Sequence, residues 1–308
     1  VTDLPAPVTE VETSAGPRAP AAEVLRLLRT PHWVKSAIVF PVVVLAGQAG
    51  DAAAWVQALW SFIAFCLASS GVYALNDLLD RDLDRLHPLK CHRPIAAGRL
   101  TPPLALATAL GAALGGLAVA VACCQPPAAW CVLIYLGLNL AYSLRLKHVP
   151  VVDAACVATG FVLRALALGG LPGGSLRGWS LCGSVFALCY FVAVTKRVAD
   201  SLALGRAAAV GAERPNLMDG YTPNRLRRLS QVSRAATVLC YGVLVMTCGP
   251  QMPVAMLSAL PVAYCLWRMG RLALGGVTVE QIDLVKADPG LIAGGLVWAA
   301  LWAWIALG

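Results

Sequence analysis

A chain of 308 residues with 59% hydrophobic and only 13% charged residues, and a mean hydropathy of +0.72, is not a soluble globular protein. Apolar runs recur along it at the length of about 20 residues that crosses a hydrocarbon core. The formal net charge of +8 would suit a nucleic-acid partner. Its Lys and Arg residues instead sit between the apolar runs, which is the pattern of membrane topology, so no nucleic-acid partner is expected.

Taken in order, residues 1–22 are rich in Pro, Ala, Thr and Glu without periodicity and read as a disordered N-terminal tail. They show no basic start followed by an apolar stretch, so a cleavable signal peptide is not expected. Residues 23–308 read as a single integral membrane domain. Residues 23–32 predict a short amphipathic helix, with Leu25 and Leu28 on the membrane and Arg26 and Arg29 at the headgroups. Nine spans are expected near 33–50, 54–76, 103–124, 127–145, 150–171, 179–198, 230–249, 252–270 and 289–307, an all-α membrane protein. The small residues of Gly111–Gly116 suit close helix packing. Most of the eleven cysteines, such as Cys66, Cys156, Cys189 and Cys240, lie in apolar runs and act as small hydrophobes. His87, Cys91 and His92 match no usual zinc spacing.

The interhelical charge alternates. With the N-terminus in the cytoplasm, 22 of the 24 Lys and Arg residues fall on that side, the exceptions being Arg164 inside a span and Arg177. The positive-inside rule then places the N-terminus inside and the C-terminus outside, and nine spans agree with that parity. All the candidate chemistry lies on the same cytoplasmic side.

The densest charge is Asn76–Gly98, NDLLDRDLDRLHPLKCHRPIAAG. Asp77, Asp80 and Asp84 are spaced i, i+3, i+7, which puts three carboxylates on one helical face with Asn76 beside them, while Asp82 points elsewhere. Lys90, His92 and Arg93 then reverse the sign, and Pro88 and Pro94 turn the helix into a loop. Hard carboxylate oxygens beside a basic loop suit Mg²⁺ shared with a diphosphate. A solvated helix laced with ion pairs is the plainer alternative. A second group follows: Tyr142 and Lys147 at the end of span four, and Asp153 opening span five. For Lys147 snorkelling, and for Asp153 a helix N-terminal role, are the alternatives. Arg164, deep in an apolar run, is either functional or paired with a buried carboxylate. Lys196, Arg197 and Asp200 end span six, before a loop with Arg206, Glu213, Arg214, Asp219 and Tyr221. Having fewer carboxylates, this cluster is expected to supply phosphate-binding cations to one strong metal site, with Lys196 and Asp200 also placed to pair as i, i+4.

The run Asn76-Asp77-x-x-Asp80-x-x-x-Asp84 after the second span, with Tyr142-Ser143 and Lys147, resembles the UbiA superfamily of intramembrane prenyltransferases. Trp33-Val-Lys35, His87-Pro88-x-Lys90-x-x-Arg93-Pro-Ile-Ala-Ala-Gly98, Gly160-Phe-x-x-Arg164-Ala and Lys196-Arg197 resemble its phosphoribosyl-transferring branch. Cys91, His92 and Leu168 depart from that branch's pattern. The resemblance implies a UbiA-like bundle of nine transmembrane helices with cytoplasmic helical and loop caps, in the plasma membrane. It implies transfer of 5-phosphoribose from phosphoribosyl pyrophosphate to a polyprenyl (decaprenyl) phosphate, with Mg²⁺, for cell-wall arabinan precursors. It also implies roles: Asp77, Asp80 and Asp84 catalytic and, with Asn76, metal-binding; Lys35, Asn76, Lys90, Arg93, Tyr142, Lys147, Arg164, Lys196 and Arg197 on the substrates. Lys35, Lys147 and Arg164 remain alternatives for the acceptor phosphate, and oligomer formation is left open.

Two other readings compete. An aromatic prenyltransferase of the same superfamily would use the same aspartates on a lipid diphosphate, but needs fewer cations than His87–Arg93 provides. A transporter would suit Arg164, but the far-side loops Gln48–Ala53, Gln125–Ala128 and Gly249–Pro253 carry little polarity to complete a path.

Overall fold

A computed structural model describes residues 20–86, 90–169, 175–206, 221–274 and 288–307, and within them every regular element is helical. Residues 1–19 of the expected tail, the turn at His87 and Pro88, and the loop with Glu213, Arg214 and Asp219 lie outside the described residues, as does the Asp200 side chain, while residues 20–22, expected in the tail, belong to the first helix.

The chain opens with α1 (Pro20–Leu27), a 3-10 stretch over Thr30–Ile38 and α2 (Val39–Leu45). Then come α3 (Ala52–Leu79), α4 (Arg81–Leu86), α5 (Pro102–Cys123), α6 (Pro126–Leu144) and α7 (Val152–Leu166). The remainder is α8 (Leu176–Arg206), α9 (Pro223–Met246), α10 (Met252–Leu257), α11 (Ala259–Leu274) and α12 (Pro289–Leu307). Among the described residues, seven stretches are long and apolar enough to cross a membrane: α3, α5, α6, Leu176–Ala199, Asn224–Met246, Gly249–Leu274 and α12.

Two expected spans take another form. The stretch 33–50 is broken into the 3-10 segment and the seven-residue α2. Pro31 and Pro41 each lack the amide N–H that a continuous α-helical ladder needs, and each sits in the first turn of its own segment, where that N–H is dispensable. The stretch 150–171 holds the 15-residue α7. At about 1.5 Å per residue it falls short of a core about 30 Å thick.

α3 starts on Asp51, whose side chain accepts from the Ala53 amide at 2.8 Å, and packs against α5, α6 and the 3-10 segment. The α3–α5 contact is made by glycines. A Cβ on Gly71 would lie 2.6 Å from the Ala109 carbonyl oxygen, and one on Gly116 2.6 Å from the Ala64 carbonyl oxygen. Lipid tails are as apolar as leucine, so backbone approach of this kind is what drives membrane helices together. α8 packs along α9 in the other half, and α7 joins α6 to α8.

The N-terminal segment differs from the expected surface helix. Leu27 is buried against Ala74, Ile95, Leu100 and Ala105, and Glu23 is buried too. Ser70 of α3 donates to the Leu28 carbonyl at 2.7 Å and accepts from Trp33 Nε1 at 2.9 Å. The segment is therefore folded onto the end of α3 that carries the aspartates.

Candidate active site

The helical bonding of α3 runs through its end. Asp80 N donates to Asn76 O at 2.9 Å and Asp84 N to Asp80 O at 2.8 Å, although the backbone bends at Asp80. The i, i+3, i+7 spacing therefore keeps Asp77, Asp80 and Asp84 on a common side. Asp77 and Asp84 are buried, whereas Asp82 is exposed and pairs with Arg81 and Arg85. The Arg81 guanidinium holds the Asp82 carboxyl below the ordinary carboxylate range.

Each buried carboxylate meets a cation. Asp77 Oδ1 accepts from Arg29 Nη2 at 2.5 Å and from Arg93 Nη1 at 3.1 Å. The same Arg93 nitrogen reaches Asp84 Oδ2 at 2.8 Å. Asp80 takes Lys147 Nζ at 2.7 Å and Asn76 Nδ2 at 3.1 Å. Lys147 is buried, so snorkelling to water is not its role. Burial raises the Asp84 carboxyl above its usual range, against the fields of Arg93 and Lys90. Arg93 is aimed by its own loop. Ile95 and Leu100 enter the core, Arg85 Nε holds the Ala96 carbonyl at 3.2 Å, and Arg99 ties the His92 carbonyl to Glu23.

This arrangement bears on the expected metal. Among the described residues no group of three or more His, Cys, Asp or Glu side chains is gathered tightly enough to hold a metal ion. The physical reason is that guanidinium and ammonium groups lie against the carboxylates. The donor set nevertheless fits Mg²⁺. It is hard, all-oxygen and anionic, and one nitrogen already bridges Asp77 and Asp84, so a single cation can serve both.

The remaining expected residues separate into two further places. Arg164 lies inside the bundle, donating to Ser36 Oγ (3.2 Å), the Gly160 carbonyl (2.8 Å) and the Tyr135 hydroxyl (3.3 Å). Its guanidinium also lies over the rings of Phe65, Tyr135 and Phe161. Among the described residues it pairs with no carboxylate, contrary to the buried-pair alternative. Lys35 precedes Ser36 in the same 3-10 segment. Arg197 Nε binds the fully buried Asp153 at 3.0 Å, and Tyr221 donates its hydroxyl to the same carboxylate. Tyr221 in turn accepts the Val151 amide at 2.6 Å, and its hydroxyl is held well above its usual pKa by burial and by Asp153. Val151 has φ +75°, which a β-branched residue rarely adopts. Lys196 is half-buried, Lys90 sits in a short 3-10 turn, and Tyr142 lies on the last turns of α6.

Three participants were not expected: Arg29 on Asp77, Tyr221 on Asp153, and the Ser36–Tyr135 pair on Arg164. The one available signal for Arg29 was Pro31, which ends the helical pattern.

Residues 37–278 match the UbiA prenyltransferase family. The chain is 32% identical over 287 residues to the decaprenyl-phosphate phosphoribosyltransferase of Mycobacterium tuberculosis, covering 91% of this chain and 92% of that protein. It is 34% identical over 232 residues to the Corynebacterium glutamicum protein of the same name, covering 74% of this chain and 68% of the relative. A UbiA homolog from Archaeoglobus fulgidus, solved bound to DMAPP and Mg²⁺, superimposes with a TM-score of 0.69 over 92% of this chain and 97% of its own, at 20% identity.

Proposed function

The chain belongs to the UbiA prenyltransferase family, and we propose that it transfers 5-phosphoribose from phosphoribosyl pyrophosphate to decaprenyl phosphate or a similar polyprenyl phosphate, releasing pyrophosphate. The near full-length likeness to the mycobacterial relative carries this reading. The number of cations at the aspartate cluster supports it, because a doubly phosphorylated polar donor needs more of them than an allylic diphosphate. The product would be polyprenyl-phosphoryl-5-phosphoribose, a precursor for cell-wall arabinan.

An acceptor phosphate oxygen attacks C1 of the ribose as the C1–O bond to pyrophosphate breaks. Positive charge builds on the ring and negative charge on the leaving group, as in glycoside cleavage. Asp77 and Asp80, with Asn76 and Asp84 in support, would hold Mg²⁺, which when bound would supply electrostatic stabilisation of the departing diphosphate. Lys90, Arg93 and Lys196 neutralise donor phosphates, and Tyr142 lines the same side. The acceptor phosphate has a second pKa of about 6 and attacks without a general base. Lys147 is committed to Asp80, whereas Arg164 has no carboxylate partner among the described residues, which favours Arg164 and the neighbouring Lys35 for the acceptor phosphate. Arg197 acts through Asp153, fixing the start of α7.

Residues 23–308 form one catalytic domain in the plasma membrane in this reading, with the N-terminus and the site cytoplasmic and the C-terminus outside. Nine passes result if the broken 33–50 stretch and α7 each cross. The test is a transfer assay on purified protein with radiolabelled phosphoribosyl pyrophosphate, a polyprenyl phosphate and Mg²⁺, with an EDTA control. Metal-dependent movement of label into the lipid phase is expected. No transfer, with consumption of a polyprenyl diphosphate on an aromatic acceptor, would overturn the phosphoribosyl reading.

A further inference from the structure

We propose that Arg29 is a displaceable counter-ion: it releases Asp77 to the metal and takes up the diphosphate of the incoming donor, so that metal and donor bind as a linked pair. The inference rests on the proposed reaction for the donor's identity, and on the geometry alone for the exchange.

Asp77 Oδ1 is shared by two guanidinium groups, and they are not equivalent. Arg93 is committed twice, to Asp77 and to Asp84, and its loop is anchored by Ile95 and by Arg85. Among the described residues, Arg29 pairs with no carboxylate except Asp77. Its side chain is partly exposed where that of Asp77 is not, 22% against 3%. Its guanidinium carbon also lies 5.2 Å over the Tyr73 ring, a face that can hold it in more than one position.

The backbone at Arg29 is fixed. It adopts a left-handed conformation, φ +50° and ψ +48°, uncommon for a residue other than glycine. On its two sides, Ser70 holds the Leu28 carbonyl and the Trp33 indole, and Glu23 is tied to Arg99. Movement at this point therefore belongs to the side chain and not to the segment.

Charge gives the exchange its direction. The carboxylates of Asp77, Asp80 and Asp84 are met by Arg29, Arg93 and Lys147, three against three, with the Lys90 field also reaching Asp84. The cluster carries no excess negative charge as it stands. A divalent cation entering alone would add two positive charges to a largely buried site with nothing to offset them, which is unfavourable. Entering with a diphosphate, it brings its own compensation, and the guanidinium freed from Asp77 is already beside the incoming phosphates. Its planar fork suits two phosphate oxygens at once.

A purely structural Arg29, fastening the N-terminal segment to α3, makes the opposite prediction for the metal: loss of the bridge loosens the site, and metal binds no better. The test uses the full chain in detergent, Mn²⁺ as a spectroscopic probe for the free ion, and pyrophosphate. Wild type should bind Mn²⁺ weakly alone and about tenfold more tightly with pyrophosphate present. Arg29→Gln should bind Mn²⁺ alone about tenfold more tightly than wild type and lose most of the pyrophosphate enhancement. Arg29→Lys keeps the charge on Asp77 but not the fork, so Mn²⁺ alone stays weak while the enhancement shrinks. Unchanged or weaker Mn²⁺ binding in Arg29→Gln overturns the proposal. So does full enhancement in Arg29→Lys, which decides the matter should the glutamine variant not fold. Substituting phosphoribosyl pyrophosphate or a polyprenyl diphosphate for pyrophosphate separates the two readings. Enhancement by the lipid diphosphate alone would sink the phosphoribosyl donor and leave the exchange standing.

Discussion

Two residues carry opposite electrostatic situations, and their substitutions should fail differently. Asp77 is a buried carboxylate under two guanidinium groups. Asp77→Asn removes the charge and keeps the shape, so the chain should still fold in detergent. Transfer should fall at least about a hundredfold, the scale on which lost charge stabilisation at a reacting centre is felt. Activity near wild type would remove Asp77 from the metal site. Arg164 is a buried cation whose donors go to a hydroxyl, a backbone carbonyl and a phenol, with three rings around it. That set fixes a planar group in one orientation, which an ammonium cannot reproduce. Arg164→Lys should therefore raise KM for the polyprenyl phosphate at least about tenfold, the scale of one charged hydrogen bond, with KM for the phosphoribosyl donor nearly unchanged. Equal changes in both constants would take Arg164 off the acceptor phosphate.

At the scale of elements, the α3–α5 contact fixes where the aspartates sit, because α3 carries them and α5 leads away from the Arg93 loop. The glycines of α5 make this testable within one helix. A Cβ at Gly116 would meet the backbone of α3, while one at Gly111 meets nothing within 4 Å. Gly116→Ala should destabilise by about 1–3 kcal/mol through overpacking. Gly111→Ala should stabilise by about 0.5–1 kcal/mol through helix propensity. Thermal unfolding in detergent reads both, and the same sign for the two would disprove the close approach. Hydropathy revealed most of these elements beforehand: α3, α5, α6, α9 and α12 fall within a few residues of the expected spans, except that α9 starts earlier, at Pro223. The aspartate face was legible too, because i, i+3, i+7 spacing survives the bend at Asp80. What was hidden depended on contacts between distant elements. Arg29 looked like a headgroup residue because the turn after α1 is set by a left-handed backbone that no periodicity reveals. Tyr221 became part of the second cluster only because Val151 and Asp153 lie against it. Lys147 and Asp80 are brought together by the packing of α6 against α3 and not by their separation in sequence.

For the whole molecule, the cation distribution and the site have to agree on one side of the membrane. Arg29, Arg93 and Lys147 all converge on the aspartates, so the residues that orient the chain during insertion are in part the residues that build the site. The donor is a highly charged, water-soluble molecule and must meet the site from the compartment that contains it, while the lipid acceptor arrives through the bilayer. The cytoplasmic side proposed for the site rests on the same charges that surround its carboxylates. Two native cysteines report on this. Cys91 lies in the basic loop beside the aspartates, and Cys123 is exposed at the opposite end of α5. With all other cysteines replaced, a membrane-impermeant maleimide added to intact cells should label a chain retaining Cys123 and spare one retaining Cys91. Permeabilised cells should label both. The reverse pattern would place the aspartates on the outer face, and the donor would then have to be exported before it could react.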